Sequence, residues 1–430
     1  MMPAPIYPLK ISANRRYLVD QNDQPVLVHG DSPWSLIVQL TPDEVDLYLD
    51  DRKAKGFNAL IVNLIEHKFA DNPPSNRFGH GPFTTPGDFA TPNEKYFEYA
   101  DWVINRVGEK GFLLFLAVTF VGYCGGPEGW EKEMMASGPE KCRQFGRFAA
   151  RRYRHHDHVL WYIACDQNLS KARKETEALA EGVREEDDRL LMTALGSPEH
   201  SATAVFQGAT WLDVNATYSY KLVHDRLRED WRHEPVMPFL LNESTYEGEH
   251  NSSPLQVRRQ AYWALLRGAC GQFMGNRPIW LFDRGWKDAL DSPTAIAMTH
   301  LKRLFESRPW WQLVPDVDHK VVTGGLGEFH GLDYLTAAIT ADGGTLMAYM
   351  PSARVITVDL AKLSGDRAQA WWFNPRTGET IRGAEIASAG SAQVWPPDEG
   401  DWALVLDDSA KNLPAPGQTA PSRDVAPGIC

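Results

Sequence analysis

The sequence predicts an α/β chain, a (β/α)8 barrel of the TIM type over residues 1–313 followed by a small antiparallel β-sandwich over 314–408. Three observations carry this. Eight short apolar runs alternate with segments bearing helix punctuation, the pattern of a parallel sheet closed into a barrel. Two of the runs, Trp161-Tyr162-Ile163-Ala164-Cys165-Asp166-Gln167-Asn168 and Met237-Pro238-Phe239-Leu240-Leu241-Asn242-Glu243, end in a carboxylate beside an asparagine. Buried strands end this way when they emerge at a functional rim. After Pro315 the pattern changes to short alternating runs separated by Gly, Asp and Pro turns.

Taken in order, the barrel runs are Val26 to Asp31, Ala59 to Leu64, Phe112 to Val118, His158 to Asp166, Leu190 to Leu195, Trp211 to Ser219, Val236 to Glu243 and Gln272 to Trp280. Between the first two, Thr41-Pro42-Asp43-Glu44 supplies a capping Thr, a Pro in the first turn and a Glu at the capping-box position, and Gly56 ends the helix. Thr91-Pro92-Asn93-Glu94 opens a helix through Val107, Ser252-Ser253-Pro254 one through Ala269, and Ser292-Pro293 one through Phe305. The sandwich strands are expected at Leu335 to Ile339, Thr345 to Met350, Val355 to Leu360, Ala368 to Phe373 and Trp402 to Leu406. The tail, 409–430, is rich in Pro, Ala, Gly and Ser and reads as disordered.

Composition narrows the function classes. A formal net charge of -12 leaves no concentration of Lys and Arg for neutralising phosphates, so no nucleic-acid partner is expected. The 15 Trp and 14 Tyr suit a carbohydrate partner, since aromatic faces stack on sugar rings, although core packing claims many of them. The five cysteines are scattered without metal or disulfide spacing, and no metal or cofactor is expected. His155-His156-Asp157-His158 precedes the fourth run and therefore falls on the structural face of a barrel. No run approaches a membrane span and no signal peptide is visible, so the chain is expected to be soluble, and cytoplasmic as the sequence stands, or periplasmic or secreted if a signal was trimmed.

Asp166 at the fourth strand end and Glu243 at the seventh share one rim of such a barrel. Two carboxyl groups can divide the work of cleaving an acetal: one protonates the leaving oxygen, the other attacks the anomeric carbon or activates water. Either could instead cap a helix or hold a loop. Asp31, Trp34, Asn63, Glu66, His67, Phe120, Asn168, Asn215, Tyr218, Asn242, Tyr246, Glu247, Asn276, Trp280 and Trp286 lie in or just after the strands and are candidates to bind substrate. Residues Gly122 to Gly129 lack the Lys-Ser/Thr of a phosphate loop and read as an active-site loop.

These segments resemble the apiosidase-like glycoside hydrolases, family 140 and relatives. Gly30-Asp31-Ser32-Pro33-Trp34 is similar to an early Gly-Asp-Thr-Ala-Trp segment, and Tyr48 to Asn58 to the helix after it. Ala164-Cys165-Asp166-Gln167-Asn168 takes the place of a Gly-Gly-Asp-x-Asn motif, and Asn242-Glu243-Ser244-Thr245-Tyr246-Glu247 that of Asn-Gly-Glu-Pro-x-Tyr-Glu. The resemblance implies a retaining, exo-acting glycosidase with Asp166 as acid/base and Glu243 as nucleophile, removing a terminal sugar, with a furanose such as apiose among the candidates. Ala370-Trp371-Trp372-Phe373-Asn374-Pro375-Arg376-Thr377-Gly378-Glu379 resembles the hairpin of the sandwich that accompanies these barrels and is labelled collagen-binding. Its Trp residues are expected to pack in a structural role against the barrel. The loss of both glycines before Asp166, and of the one before Glu243, bears on pocket shape. It leaves open a second reading, a non-catalytic carbohydrate-binding protein with a degenerate site.

Overall fold

All eight apolar runs become parallel strands of one sheet, at Val28–Asp31, Ala59–Asn63, Leu113–Phe120, Val159–Ala164, Met192–Leu195, Asn215–Tyr218, Phe239–Glu243 and Gly271–Met274. They are called the first to eighth strands below. The computed structural model describes residues 4–123, 126–169, 171–221 and 223–418. The strand order runs fifth, fourth, third, second, first, eighth, seventh, sixth, with the short strand His200–Ser201 added antiparallel to the sixth. Pairing of the first strand with the eighth, from Val28 opposite Gly271 to Asp31 opposite Met274, joins the two ends of the chain's sheet. The seam between the fifth and sixth strands is bridged by Asp213 N to Met192 O at 2.9 Å and Thr193 Oγ1 to Val214 O at 2.7 Å.

Helix punctuation acts where the sequence placed it. Glu44 Oε2 accepts from Thr41 N at 3.2 Å at the start of the helix Pro42–Ala54, and Gly56 lies beyond its end at φ 84°. Asn93 caps Glu94–Glu109 through Lys95 N, and Ser253 caps Pro254–Leu266 through Gln256 N. Two expected strands were too long. The sixth begins at Asn215 rather than Trp211, and the eighth stops at Met274, leaving Ile279–Leu281 as a 3-10 turn.

The chain divides into two compact units, Ala4–Ile296 and the residues from Ala297 onward. The division falls inside the helix Pro293–Glu306, earlier than the change of sequence pattern. In the second unit, the fully buried Arg308 side chain meets Asp407 with Nε to Oδ1 at 2.9 Å and Nη2 to Oδ2 at 2.6 Å, which ties the end of that helix to the sandwich. The larger sandwich sheet orders strands Leu313–Pro315, Thr336–Thr340, Thr345–Met350, Trp402–Asp408, Arg367–Phe373 and Thr380–Ala387; the smaller orders Val322–Gly324, Ile356–Asp359 and Ser391–Val394. Thr380–Ala387 escaped the sequence reading because it is an edge strand with its side chains largely in solvent. Trp372 and Trp402 lie in the core of the sandwich itself with Leu346, Val358 and Leu404. Residues 409–418, expected to be disordered, have defined places: Ser409–Lys411 is a 3-10 turn, Arg308 Nη2 donates to Pro414 O, and Gly417 N to Ser307 Oγ. The expected disorder of 419–430 lies outside the described residues. Among the described residues, no helix is long and apolar enough to cross a membrane.

Candidate active site

Both strand-end carboxylates reach one cleft at the rim of the barrel unit. After the fourth strand the chain turns sharply, with Asp166 in the left-handed region at φ 54°, a conformation that Asp tolerates better than most residues. Cys165 before it is fully buried, so its side chain leaves the cleft mouth alone, and burial holds its thiol well above the ordinary thiol range. Glu243 closes the seventh strand opposite Tyr218, across a register shift that sets the end of the sixth strand against it.

Two tyrosines join the carboxyls. Tyr218 OH lies 3.0 Å from Asp166 Oδ1, Tyr218 OH 2.9 Å from Tyr220 OH, and Tyr220 OH 3.1 Å from Glu243 Oε1. Tyr218 is buried and Tyr220 half-buried in the cleft wall.

The cleft holds about 190 Å³ and is lined by aromatic and carboxylate side chains. Trp34, Phe69, Phe120, Tyr123, Tyr246 and Trp280 supply the apolar faces; Asn63, Glu128, Tyr220 and Glu249 join the two strand-end carboxyls as polar groups. Among the described lining residues there is no Lys, Arg or His. Several supports hold this wall. Tyr246 OH accepts from Trp34 Nε1 at 3.0 Å, and its ring lies against the backbone of Gly275, where a Cβ would come within 2.3 Å of it. Trp280 Nε1 donates to Glu249 at 2.7 Å, and the Trp280 ring meets Phe69 edge-on at 4.8 Å. The loop that carries Tyr123 and Glu128 is pinched at its base, where a Cβ on Gly129 would lie 2.3 Å from Gly122 N.

Burial dominates the electrostatics. It pushes the Asp166 carboxyl up to about 7; the bond from Tyr218 opposes the rise and the negative charge of Glu128 adds to it. Burial also holds Glu243 well above the usual carboxylate range, with the Asp166 charge adding and the tyrosine bonds opposing. Because the charge of one carboxyl raises the other, they titrate as a pair, and the cleft retains a proton near neutrality.

The sequence candidates separate by what their polar atoms touch. Trp34, Asn63, Phe120, Asp166, Glu243, Tyr246 and Trp280 line the cleft, and Tyr218 stands behind it in contact with Asp166. Asp31 does not: fully buried, it accepts from Arg52 Nε at 2.6 Å, Tyr48 OH at 2.8 Å and Ser32 N at 2.8 Å. Glu66 is likewise spent on structure. Its Oε1 accepts from the backbone N–H of His67, Lys68 and Phe69, and its Oε2 from Asn63 Nδ2 at 2.9 Å. His67 contacts Glu133 and the Trp130 ring. Asn215 starts the sixth strand and so lies away from the rim, where Asp230 accepts from its Nδ2. Glu247 and Asn276 bond to each other, Asn242 donates to Tyr162 OH, Asn168 is exposed beside Ser197, and Trp286 packs on Phe282. The candidate set lacked Tyr220, Phe69 and Glu249, whereas Tyr123 and Glu128 belong to the loop Gly122 to Gly129 that reads as an active-site loop. Tyr220 was recoverable from its spacing, since it lies two residues beyond Tyr218, the last residue of the sixth strand, at the rim where functional side chains gather.

Comparison with known proteins agrees with this architecture. The family model for the apiosidase-like catalytic domain matches residues 12–312, and that described as "Putative collagen-binding domain of a collagenase" matches 314–407. A solved structure described as a glycoside hydrolase aligns with a TM-score of 0.83 at 24% identity, covering 94% of this chain and 97% of that one. A family 5 glycoside hydrolase from Bacteroides vulgatus aligns with a TM-score of 0.85 at 25% identity, covering 96% and 95%. No curated protein matches the chain.

Proposed function

Because the chain belongs to the apiosidase-like catalytic-domain family through residues 12–312, we propose that it is a glycoside hydrolase that removes one terminal neutral sugar by a two-carboxylate mechanism. The observation that carries this reading is the pair Asp166 and Glu243, from two strand ends, facing one aromatic cleft. For cleavage Asp166 must carry the proton that it donates to the leaving oxygen, and Glu243 must be ionised, with Tyr220 donating to it, to attack the anomeric carbon. In the second half of the cycle Asp166 takes a proton from the water that releases the sugar, which makes the reaction retaining.

The small cleft favours exo action. At about 190 Å³ it is well under the roughly 300–1,000 Å³ of pockets that enclose drug-sized ligands, which suits a single ring. Its lining of aromatic faces and acceptors, with no cation among the described residues, suits the hydroxyls of an uncharged sugar, and the family's description makes apiose the first furanose to try. Asn63 illustrates the fit. Its Nδ2 is held by the Glu66 carboxylate, which can only accept, so the buried Oδ1, without a partner among the described residues, is left for a sugar hydroxyl.

A panel of aryl pyranosides and furanosides tests the reading. On the substrate that is turned over, Glu243→Ala is expected to lose roughly 10⁴-fold or more in kcat and to recover in part with azide. The anomer first released, followed by NMR, reports retention. Wild-type turnover by Glu243→Ala would sink the assignment. Sugar binding without turnover of any glycoside would favour a carbohydrate-binding protein.

A further inference from the structure

The bridge between the two carboxyls poses a problem of proton count. Three contacts of hydrogen-bond length, Asp166 to Tyr218, Tyr218 to Tyr220 and Tyr220 to Glu243, need three protons. The two phenols bring only two. With both carboxyls ionised, each phenol donates to its carboxylate and the Tyr218–Tyr220 contact has no proton. With both protonated, one proton too many points into the chain. One carboxyl proton makes all three bonds at once, and it does so in either direction.

We infer that Tyr218 and Tyr220 are positioning residues that hold a single proton on the Asp166–Glu243 pair and pass it between them. The inference rests on the reading of these carboxyls as the catalytic pair. In one state Glu243 is the acid: Glu243 donates to Tyr220, Tyr220 to Tyr218, and Tyr218 to the Asp166 carboxylate. Each of the three protons then moves along its own hydrogen bond. Glu243 gives its proton to the Tyr220 oxygen, Tyr220 gives its own to Tyr218, and Tyr218 gives its own to Asp166. Charge and proton number are conserved, both phenols end neutral, and no water is required. The second state has an ionised nucleophile and a protonated acid, the arrangement that cleavage needs. The order of burial gives the transfer a purpose, since Glu243 lies deeper than Asp166 and a buried carboxyl favours its neutral form. The bridge lets the resting proton leave Glu243 for Asp166 as the substrate is attacked.

Two measurements on the full chain test this. The first is the pH profile of kcat/KM for wild type, Tyr218→Phe and Tyr220→Phe. The bridge stabilises the one-proton state against its neighbours on both sides, so it spreads the two limbs of the bell. Each variant should narrow the bell by about one pH unit or more and lower its maximum at least about tenfold. Phe keeps the edge-on ring contact of the two residues, 5.2 Å between centroids, so the fold should survive, with circular dichroism as the check. Limbs that coincide with those of the wild type in both variants would overturn the inference, and if one variant fails to fold the other decides. The second measurement is infrared spectroscopy of the carboxyl C=O stretch near neutral pH, which needs no turnover. A single protonated carboxyl whose band is altered in both Glu243→Gln and Asp166→Asn supports the shared proton, even if no glycoside is cleaved. The absence of a band that responds to both variants, or two bands that each respond to only one of them, overturns it.

Discussion

Glu66 offers a sharp test of how a buried acid outside the chemistry shapes the cleft. In Glu66→Gln the volume is kept, but one acceptor oxygen becomes an NH2 donor. The Gln carbonyl can take the Oε1 position and go on accepting from the N–H groups of His67, Lys68 and Phe69, now at 2.8, 3.2 and 3.2 Å. Its NH2 then faces Asn63 Nδ2 across the present 2.9 Å contact, donor against donor. The cheapest repair is rotation of the Asn63 amide, which turns NH2 toward the cleft in place of the carbonyl. Charge-assisted bonds contribute about 1.5–3 kcal/mol and neutral ones about 0.5–1.5. Each of the three surviving bonds weakens by about 1–1.5 kcal/mol, so the expected loss of stability is about 3–5 kcal/mol. The recognition penalty is separate. An acceptor replaced by a donor opposite a sugar hydroxyl should lower kcat/KM roughly 10- to 100-fold, mostly through KM, with the azide response of the nucleophile variant unaltered. Urea unfolding followed by tryptophan fluorescence and steady-state kinetics on the best aryl glycoside supply the numbers. Wild-type stability together with wild-type kcat/KM would refute the reasoning, because it would mean that Glu66 fixes neither the loop nor the amide. Loss of activity at full stability would return Glu66 to a direct role in binding sugar.

Two further outcomes follow from the same contacts. Asp31→Asn removes the fully buried acid that pairs with Arg52 and leaves Arg52 its 2.7 Å contact with Asp51, so it should destabilise by about 2–3 kcal/mol in denaturant titrations, below the full cost of an unpaired buried charge, while KM stays near its wild-type value; a large rise in KM at normal stability would contradict this. Glu128→Gln removes a negative charge that helps to raise Asp166. The pair must keep its one proton for Asp166 to act as the acid, so activity falls as pH rises and that proton is lost, and this basic limb of the kcat/KM profile should move to lower pH in the variant. A limb that stays in place would show that burial alone sets the acid.

Much of the scaffold was legible in local pattern. Apolar runs of strand length located all eight barrel strands, and the capping residues Thr41, Asn93 and Ser253 act at the helix starts they announced. The sandwich was less readable, because strands such as Thr380–Ala387 and Val322–Gly324 are short or solvent-facing and carry little alternation. Within the site, strand ends identified the carboxyls but overcounted their helpers. Asp31 and Glu66 stand at rim positions and are polar, yet their oxygens are taken by Arg52, Tyr48 and the following backbone. Asn215 was misplaced for a different reason: the apolar run around it begins before the strand does, which hid that it sits at the strand's start.

What the sequence by itself determined is therefore the barrel and the two strand ends that carry Asp166 and Glu243, since periodicity and strand termination are local properties of the chain. What only the tertiary structure decided is how those groups behave. Asp166 and Tyr218 are 52 residues apart, and Tyr220 and Glu243 are 23 apart; only the closed sheet brings them into one chain of hydrogen bonds. Protonation depends on burial and on nearby charge, and burial and proximity exist only once distant segments have packed.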